Sequence, residues 1–585
     1  MEDSEEAQKA AAKWLACRRS LHPAFALVAG VCLLALVGWI GKVNGWVHGC
    51  TVVTGIVFSL ERAVSLWSRR HERHVRRRLN IRLLLTLLVL GISIMLLFRP
   101  PDQWSMVPHI FVLLLVLVSG LSLMISHQTR FTARAFHPGL VLITSFFSII
   151  VFGTLLLKMP LCTMTGESCS WLDAAFTSTS AVCVTGLTTQ NPATYFSTTG
   201  QVIILLLIQV GGLGIMTLTF FAAVVLFEGI SLHDRLLLGK MIQENRLARV
   251  GETLKFIIAL TFVCEGIGAV VLFFSLDGIP DPTVRLYHSV FHSVSAFCNA
   301  GFSTLPENLA SGVVQANWIW QVVIMLLIVI GGLGTLVMED LSFWSVAKFK
   351  RWRLKEGPHR RLRVHTRLVL VVTALLIIIG AGVIFCTEFL LENGPDNGGK
   401  ILTAFFHSVT ARTAGFNTVP MSQISIFSVQ ALILLMIIGG SPGGTAGGLR
   451  TTVVAVGLAQ LWHQLRMGKC GMIFFNRKIT EETGSRALGV ILLTLIWLLL
   501  NFALLELLEA GSGIPETTLL FELVSAFATV GLSLDLTSKL TDGAKTLLIV
   551  NMFVGRIGLL TVMATLIKPD KRPASGKPPE DILLT

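Results

Sequence analysis

Charged residues are scarce in this chain, and the usual motifs of nucleotide-binding proteins are missing from it. Of its 585 residues, only 14% are charged and 53% are hydrophobic, so the chain is far more apolar than a soluble domain needs to be. It has no G-x-x-x-x-G-K-[ST] sequence and no strand-linked G-x-G-x-x-G pattern, which excludes a nucleotide site of either type within the chain. The composition indicates a membrane protein rather than a soluble enzyme.

Catalytic and metal-binding patterns are equally lacking. The ten cysteines show no metal-ligand spacing, and most lie in apolar runs, where cysteine behaves as a small hydrophobic residue. His137, His292 and His407 have no partnered carboxylate or cysteine at such a spacing, so we interpret them as polar residues at helix ends. We expect a protein that is not an enzyme and has no cofactor. A disulfide between Cys162 and Cys169 outside the membrane is left open.

Long apolar runs fill most of the sequence. A helix needs about 20 apolar residues to cross the hydrocarbon core, and the predicted fold class is therefore an all-α polytopic membrane protein. Four spans occupy residues 24–136, after a polar segment at residues 1–23 that we expect not to be part of a cleaved signal. Eight further spans are predicted at roughly 139–159, 201–227, 254–274, 318–346, 368–391, 429–458, 488–508 and 544–567.

The basic residues give a net charge of +13, but they are concentrated between the apolar spans. The main clusters lie at residues 69–82, 348–367 and 463–486. The positive-inside rule assigns these loops to the cytoplasm, together with both termini and the tail at residues 569–585. Because topology accounts for the charge, we expect no nucleic-acid partner; the lipid bilayer is the partner of this surface. The expected location is the cell membrane, with many passes.

The eight later spans form four pairs, and each pair encloses a short segment of about 12 residues, too short to cross a bilayer as a helix. Each short segment leads into a tripeptide with a central glycine, at Gly186, Gly301, Gly415 or Gly531. These glycines are 115, 114 and 116 residues apart, which indicates an internal repeat. The four predicted repeats cover residues 137–235, 250–347, 366–462 and 484–568.

Backbone that is not helical is tolerated in a membrane only where it lines a watery cavity enclosed by protein. Four re-entrant loops therefore predict one shared pore, into which each short helix points its negative C-terminal end, favouring a cation. A ring of main-chain carbonyls can replace the hydration shell of an alkali ion such as potassium, and glycine permits the turn. The predicted ion-binding filter comprises Val184, Thr185, Gly186, Asn299, Ala300, Gly301, Thr413, Ala414, Gly415, Thr529, Val530 and Gly531. Acidic side chains that would concentrate cations at the mouth are Glu167, Asp173, Asp277, Asp281, Glu307, Glu392, Asp396, Glu509, Glu516 and Asp535.

The chain resembles the superfamily of Trk, Ktr and HKT cation transporters in six motifs: TSAVCVTGL, SAFCNAGFS, TARTAGFNT, SAFATVGLS, GGSPGGTAGG and GRIGLLT. The resemblance covers residues 137–568. It implies four pseudo-symmetric repeats, each with an outer helix, a re-entrant pore helix with its filter, and an inner helix. Glycine at all four filter positions implies a preference for potassium, because serine in the first repeat marks sodium-preferring plant members. The four extra N-terminal helices depart from the family pattern.

The resemblance also implies a gate and two protein partners. Six glycines and a proline break the third inner helix at residues 437–452, and this run resembles the intramembrane gating loop of the family. The implied gate residues are Gly443, Gly444, Gly447, Gly448 and Arg556. Prokaryotic members form homodimers and rest on cytosolic nucleotide-binding regulatory subunits, for which the basic loops at residues 348–367 and 463–486 are candidate docking surfaces.

Several alternatives stay open from the sequence alone. The transported ion could be sodium or a mixture of sodium and potassium, and internal repeats also occur in alternating-access secondary transporters. The glycine-rich run could be a kink or a packing notch rather than a gate. The intramembrane carboxylates Glu265, Glu388 and Glu506 are interpreted as helix-packing partners in preference to transport residues.

Overall fold

The computed structural model describes residues 138–214, 250–276, 278–315, 317–354, 361–391, 399–466, 473–475 and 477–566, with a few single positions between residues 52 and 95. The predicted N-terminal spans, both terminal segments, His137 and the distal part of the first repeat lie outside the described residues. So do the basic cluster at residues 69–82 and parts of the other two.

Helices dominate the described residues, and their order repeats. A long helix, a short helix and a helix that follows the glycine occur four times. The first unit comprises α1 (Pro138–Leu157), α2 (Trp171–Val182), α3 (Pro192–Tyr195) and α4 (Thr198–Leu213). The second comprises α5 (Val250–Ser275), α6 (Pro282–Phe297), α7 (Gly312–Gln315), α8 (Trp318–Leu333) and α9 (Thr335–Leu354).

The third and fourth units follow the same plan. The third comprises α10 (Val364–Phe385), a π-helical turn (Cys386–Leu391), α11 (Lys400–Thr410), α12 (Ile426–Ile437) and α13 (Thr451–Leu465). A small antiparallel hairpin of β1 (Ile473–Phe474) and β2 (Arg477–Lys478) connects it to the fourth. The fourth comprises α14 (Glu481–Leu508), α15 (Glu516–Phe527), α16 (Asp542–Ile557) and α17 (Leu559–Leu566).

The long helices are those of a membrane protein. Among the described residues, three helices are long and apolar enough to span a bilayer, within α5, at Val364–Glu388 and in α14. Helices α8 and α9 pass the same test as a pair, although the chain bends by 102° between them. The long helices expose large apolar side chains such as Phe262, Ile378 and Leu499, as expected for surfaces that face lipid.

The helices that follow the glycines are broken where the sequence analysis expected continuous spans. Helices α4, α8 and α16 each end at a glycine with positive φ: Gly214 at 76°, Gly334 at 87° and Gly558 at 92°. Only glycine adopts this conformation without steric cost, so each helix stops there; a further helix follows in the second and fourth units, and in the second it is turned by 102°. The break expected in the third unit is present between α12 and α13, whereas the helix ends at these three glycines were not expected.

The short helices form the centre of the molecule. Each short helix carries a fully buried phenylalanine at an equivalent position. These residues are Phe176, Phe291, Phe406 and Phe521. In three units, a serine two residues further donates to a carbonyl of the long helix, as Ser178 does to Ile150 at 2.8 Å. A glycine of the long helix makes room for this serine. Close packing and hydrogen bonds of this kind hold helices together in lipid, where the hydrophobic effect contributes little to helix association.

The two outer cysteines are free thiols in the structure. Cys162 ends a short 3-10 turn after α1, and Cys169 precedes α2; both are buried. The Cys162 thiol donates to the carbonyl of Leu156 at 3.2 Å, and burial, with a smaller contribution from Cys169, raises its pKa to about 12. The structure therefore has two thiols at this place rather than the disulfide considered from the sequence.

Candidate functional site

Each short helix ends in a segment with the same unusual backbone. We call these four segments, Val184–Gly186, Asn299–Gly301, Thr413–Gly415 and Thr529–Gly531, the glycine segments. Their first residues all have positive φ, between 52° and 71°, and their glycines have φ between 70° and 96°. A β-branched residue at positive φ is strained, and Val184, Thr413 and Thr529 are all of this kind. The recurrence of the strain at equivalent positions indicates that the surrounding structure imposes it.

The four glycines lie next to one another in a closed ring. A Cβ atom added to Gly186 would lie 2.5 Å from the carbonyl oxygen of Ala300, and one added to Gly301 would lie 2.7 Å from that of Ala414. In the same way, Gly415 faces the oxygen of Val530, and Gly531 faces that of Thr185. Segments more than 110 residues apart in the sequence therefore meet in the order one, two, three, four and back to one.

A hydroxyl residue four positions after the buried phenylalanine of each short helix supports the ring. Its carbonyl accepts from the residue before each glycine, at 2.7 to 2.9 Å. Its hydroxyl binds the segment again: Ser180 and Ser525 accept from the glycine N–H, whereas Ser295 and Thr410 donate to the carbonyl after the glycine.

The ring is rich in oxygen and close to the negative ends of four helices. The hydroxyl oxygens of Thr185, Thr413 and Thr529 are buried and have no hydrogen-bond partner in the part of the chain that the structure describes. The C-termini of α2, α6, α11 and α15 all lead into the ring, and a helix C-terminus carries a partial negative charge. Such an arrangement suits a cation and disfavours an anion.

A cavity of about 490 Å³ lies on one side of the ring, and all four glycines line it. Among the ten acidic residues expected at the mouth, Glu307 and Asp535 line this cavity. Asp277, Glu392 and Asp396 lie outside the described residues. Glu509 instead accepts from the backbone N–H of Thr541, at the start of α16. The remaining four do not line the cavity, so two of the seven described acidic residues of this set lie at it.

On the other side of the ring, the glycine-rich loop at residues 438–450 fills the space between α12 and α13. It rests on the break between α8 and α9: the N–H of Ser441 donates to Gly332 at 3.1 Å, and the N–H of Thr335 donates to Gly443 at 3.2 Å. A Cβ atom on Gly444 would lie 2.9 Å from the carbonyl oxygen of Gly332. The loop therefore has no room for a side chain at Gly444, whereas a Cβ atom on Gly443 would meet only the Thr335 hydroxyl, at 3.6 Å.

The far end of the loop lies against the fourth glycine segment. A Cβ atom on Gly447 would collide with the hydroxyl of Thr529, and one on Gly448 would lie 3.2 Å from the Cβ atom of Ala528. The loop thus reaches from the second unit to the fourth, directly beneath the ring. Any larger residue at these glycines would push the loop away from it.

Arg556 connects the loop to the first unit. It lies in the last turn of α16 and donates to the carbonyl of Gly211, at the end of α4, at 2.6 Å. It also donates to the carbonyl of Thr445 in the loop. Carbonyls at helix ends lack partners within their own helix, and a cation there is favourable. Among the described residues, no carboxylate forms an ion pair with Arg556, so its positive charge is not neutralised.

The structure brings the predicted site residues into two adjacent groups. The twelve residues predicted for the filter make up the ring, and the five predicted for the gate lie in the glycine-rich loop or, for Arg556, donate to it. A second arginine, Arg450, was missed by the sequence analysis: its guanidinium donates to the carbonyls of Ser441 and Ala446 and so ties the two ends of the loop together. Its position at the end of a glycine-rich run was the available signal.

The interpretation of two histidines as polar residues at helix ends holds only in part. His292 lies inside α6 rather than at its end, whereas His407 does lie in the last turn of α11, but both side chains are almost fully buried rather than exposed as polar helix-end residues would be. Local sequence shows only a polar residue in an amphipathic stretch. Tertiary packing decides that this face of the short helix points inward.

The buried carboxylates act between helices, as predicted. Glu265 on α5 accepts from the side-chain amide of Gln209 on α4 at 3.0 Å, and Glu388 accepts from the N–H of Ser425, at the start of α12, at 3.0 Å. The interpretation as packing partners is confirmed for these two. Glu506 is partly buried, and no contact assigns it a role.

Helices long and apolar enough to span a membrane, a ring of four glycine segments and a glycine-rich loop packed against it define a class of polytopic membrane protein with a central site suited to cations. The chain belongs to the TrkH family of cation transport proteins, since the model of this family matches residues 105–572. This is a family of transporters rather than of enzymes.

Individual proteins in this family are similar over most of their length. The chain is 36% identical over 458 residues to the potassium/sodium uptake protein NtpJ of Enterococcus hirae, covering 76% of this chain and 97% of that protein. It is 34% identical over 442 residues to the Ktr system potassium uptake protein B of Bacillus subtilis, covering 74% and 94%. The crystal structure of the potassium transporter TrkH from Vibrio parahaemolyticus shares the fold, with a TM-score of 0.58 and 17% identity, covering 89% of this chain and 98% of the other.

Proposed function

We propose that the protein takes up potassium ions across the cell membrane through a pore whose selectivity filter is the ring of glycine segments. The observation that carries this proposal is the closure of the ring: four segments from four repeats, each with a glycine at positive φ, lie in mutual contact. Relatives named as potassium uptake proteins support the choice of ion.

In this proposal, carbonyl oxygens of the ring replace part of the hydration shell of the ion. The three buried threonine hydroxyls without protein partners, on Thr185, Thr413 and Thr529, add oxygen ligands of the same neutral type. The ends of the four short helices stabilise the positive charge. Glycine is required because a side chain would displace the neighbouring carbonyl.

The glycine-rich loop, with Gly443, Gly444, Gly447, Gly448 and Arg556, is proposed as the gate. The loop lies beneath the ring and is held by backbone hydrogen bonds to one unit and by Arg556 to others. Glycine residues let it move without breaking large side-chain contacts. The charge on Arg556 repels cations on the same path until the loop moves.

A second candidate is a pore that passes both sodium and potassium. It is favoured by one observation, the similarity to a relative named as a potassium/sodium uptake protein. Glycine in all four segments favours potassium by resemblance to the wider superfamily. An alternating-access mechanism is less well supported, since the ring comprises re-entrant segments rather than broken spanning helices.

The remaining proposals concern assembly and orientation. By resemblance, the protein forms a homodimer and binds a cytosolic nucleotide-binding regulatory subunit through the basic loops at residues 348–367 and 463–486. Both termini are then cytoplasmic, by the positive-inside rule. Co-purification with such a subunit, lost when the basic residues of one loop are replaced by glutamine, would support this assembly.

Growth of a potassium-uptake-deficient bacterium on limiting potassium tests the transport proposal. The intact protein is expected to restore growth. Gly186→Ser is expected to restore growth only at a much higher potassium concentration, or to let sodium enter the cells. Gly489→Ala serves as a control, because Gly489 lies in α14 and an added Cβ atom there meets nothing within 4 Å. Failure of the intact protein to restore growth, despite correct membrane insertion, would contradict the proposal.

A further inference from the structure

The position directly after the phenylalanine of each short helix lies behind the ring. It is occupied by Thr177, His292, His407 and Glu522 in the four units. All four side chains are buried, with at most 2% of the residue exposed. Three different chemical types thus occupy equivalent buried places, and their hydrogen bonds differ from unit to unit.

In the fourth unit, Glu522 holds the chain that leaves the ring. One carboxylate oxygen accepts from the hydroxyl of Ser533 and from the N–H of Leu534 at 3.1 Å, and the other accepts from the hydroxyl of Thr537 at 2.8 Å. Ser533 lies two residues after Gly531. A buried carboxylate with three donors at its oxygens is well satisfied, and it holds three positions of the chain together.

In the second unit, His292 makes the corresponding contact. Its Nδ1 lies 2.7 Å from the carbonyl of His288, which can only accept, so Nδ1 carries the proton. In the neutral ring, Nε2 is then the acceptor, and it lies 2.9 Å from the hydroxyl of Ser303, two residues after Gly301. The Ser303 oxygen accepts in turn from the N–H of Leu305 at 3.0 Å. The second unit is therefore connected at the same place as the fourth.

The first and third units have no such connection. The hydroxyl of Thr177 and both ring nitrogens of His407 have no hydrogen-bond partner among the residues that the structure describes. His407 instead borders a cavity of about 20 Å³ next to Glu388 and Ser428. Because the ring runs in the order of the units, the two connected segments face each other across the centre, and so do the two unconnected ones.

We propose that His292 and Glu522 are positioning residues that brace two opposite sides of the ring and thereby set its ion selectivity. This inference rests on the proposed function, since it assigns a task to residues behind the proposed filter. Groups that fix the ligands of an ion from behind tune its binding strongly. The second and fourth segments are held in place, whereas the first and third are not, so the stiffness of the ring has two-fold rather than four-fold symmetry. The two braced segments limit how far the ring can contract around a smaller ion.

The test compares potassium and sodium uptake by purified protein in proteoliposomes of one lipid composition. Glu522→Leu and His292→Phe remove the two braces, Glu522→Gln keeps oxygen to accept from Ser533 and Leu534, and His407→Phe makes the same substitution at an unbraced position. We expect the ratio of potassium to sodium uptake to fall about fivefold or more in the first two variants. It should change less than about twofold in Glu522→Gln and His407→Phe.

Thermal unfolding of each variant in detergent separates selectivity from folding. A loss of selectivity in folded His292→Phe, with His407→Phe unchanged, supports the brace even where Glu522→Leu fails to fold. Equal uptake ratios in all variants and the intact protein would overturn it, and so would equal losses in His292→Phe and His407→Phe. An intact protein that takes up neither ion overturns the proposed function itself, which is a different result.

Discussion

Replacement of Gly186 by alanine is the most direct test of the ring. Gly186 has φ of +96°, and its new Cβ atom would lie 2.5 Å from the carbonyl oxygen of Ala300 and 3.2 Å from the Cα atom of Gly301. The oxygen must move by about 0.5 Å before the contact reaches 3.0 Å, the shortest that real Cβ atoms show. Both neighbours are backbone atoms, so no side-chain rotation relieves the contact.

Two costs follow from this geometry. Holding alanine at a φ value that L-residues avoid costs about 1–3 kcal/mol, and the displaced oxygen is itself a proposed ion ligand. If about 1.4 kcal/mol of this cost falls on ion binding, affinity drops tenfold. We therefore expect potassium uptake into proteoliposomes at limiting potassium to fall at least about tenfold, together with weaker discrimination against sodium.

The matched control is Gly489→Ala in α14, where an added Cβ atom meets nothing within 4 Å. Alanine is the better helix former by about 1 kcal/mol, so this variant should transport normally and unfold at an equal or higher temperature. Wild-type uptake and selectivity in folded Gly186→Ala would refute the reasoning, because a filter cannot tolerate a ligand displaced by half an ångström without consequence.

Three further expectations concern the gate, a helix start and the outer thiols. Arg556→Gln removes the guanidinium that ties the loop to α4, so maximal potassium uptake should rise at saturating potassium, and an unchanged rate would speak against the gate. The Asp340 carboxylate accepts from the N–H of Arg363 and the hydroxyl of Thr366 at the start of α10, at 2.9 Å each. Asp340→Asn weakens these bonds, and the free energy of unfolding should fall by about 1 kcal/mol, which lowers the thermal unfolding midpoint. An unshifted midpoint would contradict this. Because burial raises the pKa of the Cys162 thiol to about 12, the thiol stays protonated at pH 8, and maleimide should label it only after denaturation. A mass change on reduction would show a disulfide instead.

The internal repeat could be read from the sequence because it depends on local chemistry. A short apolar stretch cannot cross a bilayer, and a glycine at its end permits a turn that other residues resist. Gly186, Gly301, Gly415 and Gly531 therefore marked equivalent positions by spacing alone. The structure has a short helix of 11 to 16 residues before each of them.

The breaks in α4, α8 and α16 were not predictable in the same way. Gly214, Gly334 and Gly558 stand in apolar runs where a glycine more often serves helix packing than chain reversal. Their positive φ values became evident only in the fold. The glycine-rich loop was conspicuous, but its neighbours were not: contacts with Gly332, Thr335 and Thr529 come from distant parts of the chain.

What the sequence by itself determined is the class of protein, the fourfold repeat and the positions of the glycines, since composition, length and backbone freedom are properties of each stretch of chain. Only the tertiary structure decided that the four segments close into one ring, that Arg556 joins the loop to α4, and that His292 and Glu522 bind behind the ring while His407 does not. Those facts depend on side chains that meet across 11 to 345 residues of sequence. Helix packing brings such groups together, and no local pattern encodes the distance between them.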